Sequence, residues 1–150
     1  MATTFKWTAW TDRSASTGGT VSTELNSLAN GGFSAVSGIY DNTTNLDEWG
    51  AFEIALASLT PTTGAYLQIF LVDSLDGTIF EDAASSTNPG AHQLIATCSL
   101  TAAVGARAAN TPPFRLPPGK MKWVIKNSSG VALASSGNTA KLFTANEQGV

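Results

Sequence analysis

The chain has 150 residues, a formal net charge of −3 and only 13% charged residues, against about 25% in an average globular domain. This length suits one domain with one core, and the single cysteine, Cys98, excludes an internal disulfide. The acidic balance argues against nucleic-acid binding, and no apolar run approaches the roughly 18 residues of a membrane span.

The weakly charged surface favours a protein that packs against neighbours, with a monomeric Ser/Thr-rich sandwich as the alternative. Ten acidic and two basic residues precede residue 101, whereas six basic residues and one acidic residue follow it. If the halves occupy different surfaces, neighbouring copies pair acidic side to basic side, whereas interleaved strands would mix the charges. The start of the chain has no apolar run of signal-peptide length, which predicts synthesis in the cytosol.

An N-terminal arm, residues 1–19, is predicted to precede the main domain of residues 20–150. Trp7 and Trp10 lie in this arm, ahead of a Gly/Ser-rich stretch. Two tryptophans either close the domain's own core or dock on a partner as aromatic anchors. The next segment, Ser22–Asn30, has a Ser/Thr cap and two leucines three residues apart before a Gly-Gly stop, which predicts a short helix of about two turns.

Strand patterns then recur at near-regular spacing, separated by turn residues. The segment from Ala65 to Val72 is apolar on both faces, which predicts a central strand. The predicted strands are Ser34–Asp41, Trp49–Ala57, Ala65–Val72, His92–Leu100, Ala102–Asn110, two in Phe114–Ala134, and Thr139–Ala145. About eight antiparallel strands with one short helix predict an all-β fold, a single jelly-roll-like β-sandwich.

The stretch from Phe114 to Ala134 is the strongest local pattern. After a Pro-Pro-Gly corner, Met121, Trp123 and Ile125 alternate with lysines, so one strand face is apolar and the other basic. The turn residues after Lys126 predict that residues 131–134 return as the partner strand of a hairpin. Cys98 is in phase with apolar neighbours and is predicted to be buried.

Candidate catalytic and metal-ligating residues are few. His92 is the only histidine, and no Gly-x-Ser-x-Gly elbow accompanies it. The acids between Asp73 and Gly90 lack the ligand order of a calcium loop and predict an exposed acidic loop. A carboxylate pair for glycoside hydrolysis, drawn from Asp47, Glu48 and Glu53 on the side of a groove, stays open as an alternative.

Six polar turn and corner segments lie between these patterns: Ser22–Gly31, Asp41–Thr44, Leu116–Gly119, Asn127–Leu133, Ser136–Thr139 and Asn146–Gln148. They resemble segments of small structural proteins of tailed bacteriophages, over most of the chain. The resemblance implies a jelly-roll capsid decoration or cement protein, a non-enzymatic virion component made in the host bacterial cytoplasm. It also implies that the partners are the major capsid protein and further copies of the chain, with no cofactor, metal, nucleic acid or membrane.

Candidate contacts with the capsid or between copies are basic, aromatic and C-terminal residues. They are Lys6, Trp7, Trp10, Arg13, Lys120, Lys122, Lys126, Phe143 and Gln148. The rival hypothesis is a carbohydrate-binding β-sandwich on a virion or tail surface, because such sandwiches present Trp and Tyr side chains to sugar rings.

Overall fold

The computed structural model describes residues 5–81 and 88–149, and within them the chain is all-β, as the sequence predicts. The predicted strands that begin at Trp49, Ala65, His92 and Thr139 are found as strands Trp49–Leu59, Tyr66–Ser74, Leu94–Ser99 and Thr139–Ala145. The strands are β1 Phe5–Trp7, β2 Thr11–Asp12, β3 Thr20–Val21, β4 Tyr40–Asp41, β5 Trp49–Leu59, β6 Tyr66–Ser74, β7 Leu94–Ser99, β8 Gly105–Asn110, β9 Phe114–Arg115, β10 Lys120–Ser128, β11 Thr139–Ala145 and β12 Glu147–Gly149.

Two antiparallel sheets form the predicted sandwich. The smaller sheet has the order β4-β10-β6-β7. The larger has the order β2-β11-β5-β8, with β3 also pairing with β11 and β9 with β5. Strands β1 and β12 form a separate two-stranded ribbon that joins the N-terminal arm to the C-terminal tail.

The core between the sheets is organised around Trp123 of β10. Its ring meets Phe52 of the opposite sheet edge-on, with centroids 5.0 Å apart, and its Nε1 donates to the Gly18 carbonyl at 2.9 Å. Met121 and Ile125 are buried on the same face, as the alternation predicts, and Cys98 is buried as well. Gly18 has a φ of +72° and lies so close to residues 38–40 that no side chain fits there.

Strand β6 is central and buried on both faces. Leu67 and Ile69 face the core between the sheets, whereas Phe70 and Val72 belong to a second cluster on the outer face of the smaller sheet. Three further hydrophobic side chains cover that cluster: Phe33, Val36 and Phe80. The predicted central strand, apolar on both faces, is therefore confirmed.

The predicted hairpin after β10 is wrong. Residues 131–134 form no strand, and β10 instead lies between β4 and β6. Asn127 Nδ2 donates to the carbonyls of Leu28 (2.9 Å) and Val131 (2.8 Å), which holds the following loop against an earlier segment. Burial of Leu133 then directs the chain across to β11 in the other sheet.

The predicted two-turn helix is also wrong, because Ser22–Asn30 contains only a 3₁₀ turn at Thr23–Leu25. Ser27 adopts a left-handed conformation with φ of 59°, which ends any helical path. Leu25 and Leu28 nevertheless both reach the core. No helix within residues 5–81 and 88–149 combines the length and apolar character needed to cross a membrane.

The predicted strand Ser34–Asp41 is a strand only at Tyr40–Asp41, because two serine hydroxyls replace backbone carbonyls along β10. Ser34 Oγ accepts from the Ile125 N–H at 3.0 Å, and Ser37 Oγ accepts from the Trp123 N–H at 2.9 Å. The backbone N–H groups of the same serines donate to the carbonyls of Ile125 and Trp123. An irregular segment therefore satisfies the edge of a buried strand.

Replacement of Ser37 by alanine should leave the buried Trp123 N–H without an acceptor. We expect a loss of about 1–3 kcal/mol in the free energy of unfolding, measured by urea denaturation. Ser136→Ala, at an exposed loop position, is the matched control and should change stability by less than about 0.5 kcal/mol. Equal effects of the two substitutions would contradict this role of the serine hydroxyl.

Candidate functional site

The N-terminal arm is fixed to the sandwich by a buried ion pair. Arg13 donates from Nη2 to Asp47 Oδ1 at 2.7 Å and from Nε to Asp47 Oδ2 at 3.0 Å, while the Asp47 side chain is only 3% exposed. Tyr40 adds a hydrogen bond from its hydroxyl to Asp47 Oδ2 at 2.8 Å, and Thr144 Oγ1 accepts from Arg13 Nε at 3.0 Å. A bidentate arginine–carboxylate contact of this kind fixes the orientation of the Arg13 side chain as well as neutralising the buried charge.

The contacts around Asp47 shift the pKa values of two neighbouring side chains, Tyr40 and Arg13. Burial, reinforced by the neighbouring Asp47 carboxylate, raises the pKa of the Tyr40 phenol well above its usual value. The hydrogen bond from Arg13 to Asp47 raises the pKa of the guanidinium. Tyr40 therefore stays a neutral donor and Arg13 stays charged throughout the physiological pH range.

The anchored arm places Trp10 beside the outer face of the larger sheet. Strand β2 pairs with β11 through Thr11 opposite Thr144 and Asp12 opposite Phe143. Trp10, two residues before Asp12, therefore lies on the same face as Phe143, and both line one groove. A groove of about 380 Å³ opens there. Its lining consists of Trp10, Ala51, Phe52, Glu53, Asn110, Thr111, Pro113 and Phe143.

Strand register explains the shape of this groove. Ala51 is opposite Phe143, and Glu53 has Lys141 on one side and Asn110 on the other. Alternate residues of β5 share the outer face, so the small Ala51 forms a low floor beside taller aromatic side chains. The result is a shallow trough with an aromatic side and a polar side.

The polar side of the groove offers hydrogen-bonding groups to a ligand. Glu53 and Asn110 are exposed, and among the described residues no side-chain hydrogen bond engages the Glu53 carboxylate or the Asn110 amide. Thr111 is different, because its hydroxyl already accepts from the Phe52 N–H at 2.9 Å. Trp10 is 44% exposed, so part of its ring faces solvent at the groove.

The other candidate residues of the arm and tail lie in the β1–β12 ribbon. Lys6 is opposite Gln148, and Trp7 is opposite Glu147. Trp7 is 57% exposed and contacts Trp49, with ring centroids 5.4 Å apart. These residues form an exposed surface away from the groove lining.

The three candidate lysines lie on the outer face of the other, smaller sheet. Each is half-buried. Lys122 Nζ lies 4.1 Å from the centroid of the Phe80 ring and Lys126 Nζ lies 5.2 Å from that of Phe33, while Lys120 Nζ lies 3.8 Å from Asp41 Oδ2. The side chains of Lys122 and Lys126 cover aromatic rings, which makes this face less open than the alternating pattern implies.

The candidate carboxylates and His92 do not form one site. Asp47 is paired with Arg13, Glu48 accepts from the Glu147 N–H at 2.9 Å, and only Glu53 lines the groove. His92 lies 3.4 Å from Glu81, outside the groove. No group of three or more His, Cys, Asp or Glu side chains is placed to hold a metal ion in the part of the chain that the structure describes.

Trp10 and Phe143, two of the contact candidates predicted from the sequence, line the groove, whereas its polar residues Glu53 and Asn110 are not among those candidates. Arg13, another predicted contact candidate, holds the arm to the sandwich through Asp47. Asn110 was not singled out, and Glu53 was considered only for paired-carboxylate chemistry. The alternation along β5 was a usable signal for Glu53, but no local signal identifies the strand that becomes its neighbour.

No protein-family model matches the chain, and no curated protein matches it. Among solved structures, the xylanase 10B CBM22-1–GH10 modules of Clostridium thermocellum with xylohexaose align over 93% of this chain at 15% identity and a TM-score of 0.42. This chain spans 26% of that protein.

Two family 6 carbohydrate-binding modules are also similar. That of Clostridium cellulolyticum with xylose has 21% identity, coverage of 89% of this chain and 93% of the module, and a TM-score of 0.40. The second module has 13% identity and a TM-score of 0.41, and the alignment covers 93% of this chain and 94% of the module. Because all three TM-scores are below 0.5, we assign the β-sandwich fold from the strand pairing of this chain and not from these similarities.

The Arg13–Asp47 pair predicts a measurable effect on stability. Arg13→Met keeps the aliphatic stem but leaves the Asp47 carboxylate buried without its cation, so we expect the free energy of unfolding to fall by about 3 kcal/mol. Chemical denaturation followed by tryptophan fluorescence measures this loss. Arg115→Met, which removes an exposed guanidinium, is the control, with an expected effect below about 1 kcal/mol. A loss no larger than the control's would show that the pair does not anchor the arm.

Proposed function

We propose that this chain is a non-catalytic β-sandwich module that binds carbohydrate in the Trp10 groove, on a virion or tail surface. The observation that carries the proposal is the exposed indole of Trp10 beside a carboxylate and an amide that other side chains leave unengaged. A sugar ring has an apolar C–H face and a rim of hydroxyl groups, so it suits an aromatic surface combined with such polar groups.

The geometry favours an extended, open ligand. The floor is low at Ala51, and the aromatic side is formed by Trp10 and Phe143. An open trough admits a chain of sugar residues along the sheet. Glu53 accepts hydrogen bonds from hydroxyl groups, and Asn110 both donates and accepts them.

Binding without hydrolysis follows from the carboxylates that line the trough. Most glycoside hydrolases use two carboxyl groups on either side of the scissile bond, about 5 to 9.5 Å apart. Within the described residues, Glu53 is the only carboxylate of the groove lining. We therefore assign Glu53 to hydrogen bonding and not to acid–base chemistry.

Removal of the Trp10 ring tests this function directly. On a glycan array, the wild-type chain should bind at least one glycan, and Trp10→Ala should weaken that binding by about 30-fold, equivalent to roughly 2 kcal/mol. Trp7→Ala removes a more exposed indole outside the groove and should leave binding unchanged. Glu53→Gln should weaken binding without abolishing it.

Two results would contradict carbohydrate binding. One is that the folded wild-type chain binds no glycan on the array. The other is that Trp10→Ala binds as well as the wild type while keeping its circular dichroism spectrum. In either case the groove would not be a sugar site.

A second candidate function is decoration of a phage capsid, and the β1–β12 ribbon favours it. The ribbon has two strands, and within the described residues neither pairs on its outer side. Unpaired N–H and C=O groups at such an edge can add a strand from a neighbouring subunit. Bridging of capsid subunits through the arm and tail would use this property.

Capsid decoration predicts that the protein co-sediments with shells of the major capsid protein. Deletion of residues 1–8, which removes β1, should abolish co-sedimentation, because β12 then has no partner strand and the ribbon cannot form. Trp10→Ala should retain it, which separates this function from glycan binding. The absence of the protein from purified virions, or of any binding to shells, would contradict it.

A further inference from the structure

A rigid apolar turn follows β6. Leu75 is 100% exposed and Ile79 is 76% exposed, although both are large aliphatic side chains. Burial of one such side chain is worth about 1.5–3 kcal/mol. Two of them held in water within five residues form an apolar patch that a partner can cover.

The turn is held in one conformation by Asp76. Its Oδ1 accepts from the Thr78 N–H at 2.8 Å, the Ile79 N–H at 2.7 Å and the Ser74 hydroxyl at 3.1 Å. The Glu81 N–H donates back to the Asp73 carbonyl at 3.1 Å and closes the base of the turn. Leu75 and Ile79 are thus presented at little further cost in conformational entropy.

The turn encloses a depression of about 490 Å³ in which apolar and acidic side chains alternate. Three of its six lining residues are apolar, three are carboxylates and none is basic. They are Asp73, Leu75, Asp76, Ile79, Phe80 and Glu81. Hydrogen bonds from the Ile79 and Thr78 N–H groups hold the pKa of Asp76 well below its usual value, so this carboxylate stays charged even in acid.

Charge complementarity identifies the occupant. Lys122 already lies over the Phe80 ring, and Gln93 already donates to Glu81. Apolar side chains therefore fit against Leu75 and Ile79, and lysine or arginine side chains pair with Asp73 and Asp76. An anionic membrane surface is repelled by the same carboxylates. We propose that this depression docks a cationic amphipathic segment of a partner protein, in which apolar residues alternate with lysine or arginine.

This interaction does not depend on carbohydrate binding. The depression is formed by the turn after β6, in the smaller sheet, whereas the Trp10 groove lies on the larger sheet. The two lining sets share no residue. A variant at one surface therefore leaves the other intact.

The test uses the full chain and a fluorescein-labelled synthetic peptide made of leucine and lysine. Fluorescence anisotropy should give saturable binding at low salt that weakens at about 0.5 M salt. The double variant Leu75→Ser/Ile79→Ser should bind about ten-fold more weakly or worse. Val104→Ser, which alters another exposed aliphatic residue outside the depression, should bind as the wild type does.

The charge requirement has its own controls. Asp73→Asn/Glu81→Gln should reduce affinity and flatten the salt dependence, and a peptide of leucine and glutamate should not bind. Trp10→Ala should bind the leucine–lysine peptide normally even if it loses glycans.

Four results would overturn the proposal. The double variant binds the peptide as the wild type does, or the leucine–glutamate peptide binds equally well. Alternatively, phosphatidylglycerol vesicles bind in a manner that requires Leu75 and Ile79 while the peptide does not bind, which indicates a membrane surface. Finally, sedimentation shows self-association through these two residues, which indicates a second copy as the occupant.

Discussion

The Arg13–Asp47 ion pair is the interaction on which the presented surface of this protein depends. A carboxylate that is almost fully buried is tolerated only when a cation and hydrogen-bond donors satisfy it. Arg13 and Tyr40 supply these groups, and Arg13 also contacts Thr144 of β11. The pair thereby fixes the arm to the sandwich at one place, three residues after Trp10. Without it, the short β2 pairing and the β1–β12 ribbon would have to hold the exposed indole in position.

The two sheets have different outer faces because of what covers them. On the smaller sheet, Phe33 and Phe80 pack over β6 and β10, and lysine stems lie over their rings. On the larger sheet, small alanines and the exposed Glu53 leave β5 accessible. The same alternation of side chains thus produces a second small core on one side of the molecule and an open trough on the other. A ligand site on the larger sheet is the consequence.

Local patterns predicted elements well where burial alone decided them. Alternating apolar and polar residues, or runs that are apolar on both faces, predict strands β5, β6 and β11. The alternation of Met121, Trp123 and Ile125 with lysines predicts which face of β10 points into the core. The hairpin failed because turn residues after β10 were equally compatible with a crossing to the other sheet, which the burial of Leu133 favours. The helix failed because two leucines three residues apart also fit a 3₁₀ turn. The Ser34–Asp41 strand was incomplete because serine hydroxyls replaced carbonyl partners.

The sequence by itself determined the all-β class, the apolar face of Trp123 and the presence of an aromatic arm, since these depend on periodicity and composition. It did not determine which residues accompany Trp10. Glu53 and Asn110 come from different strands, and their proximity depends on the pairing of β5 with β8, which no local pattern encodes. Likewise, Leu75 and Ile79 read as part of a polar loop until the hydrogen bonds of Asp76 fix them outward. Pairing and turn geometry are long-range or cooperative properties, so only the tertiary structure decided both candidate sites.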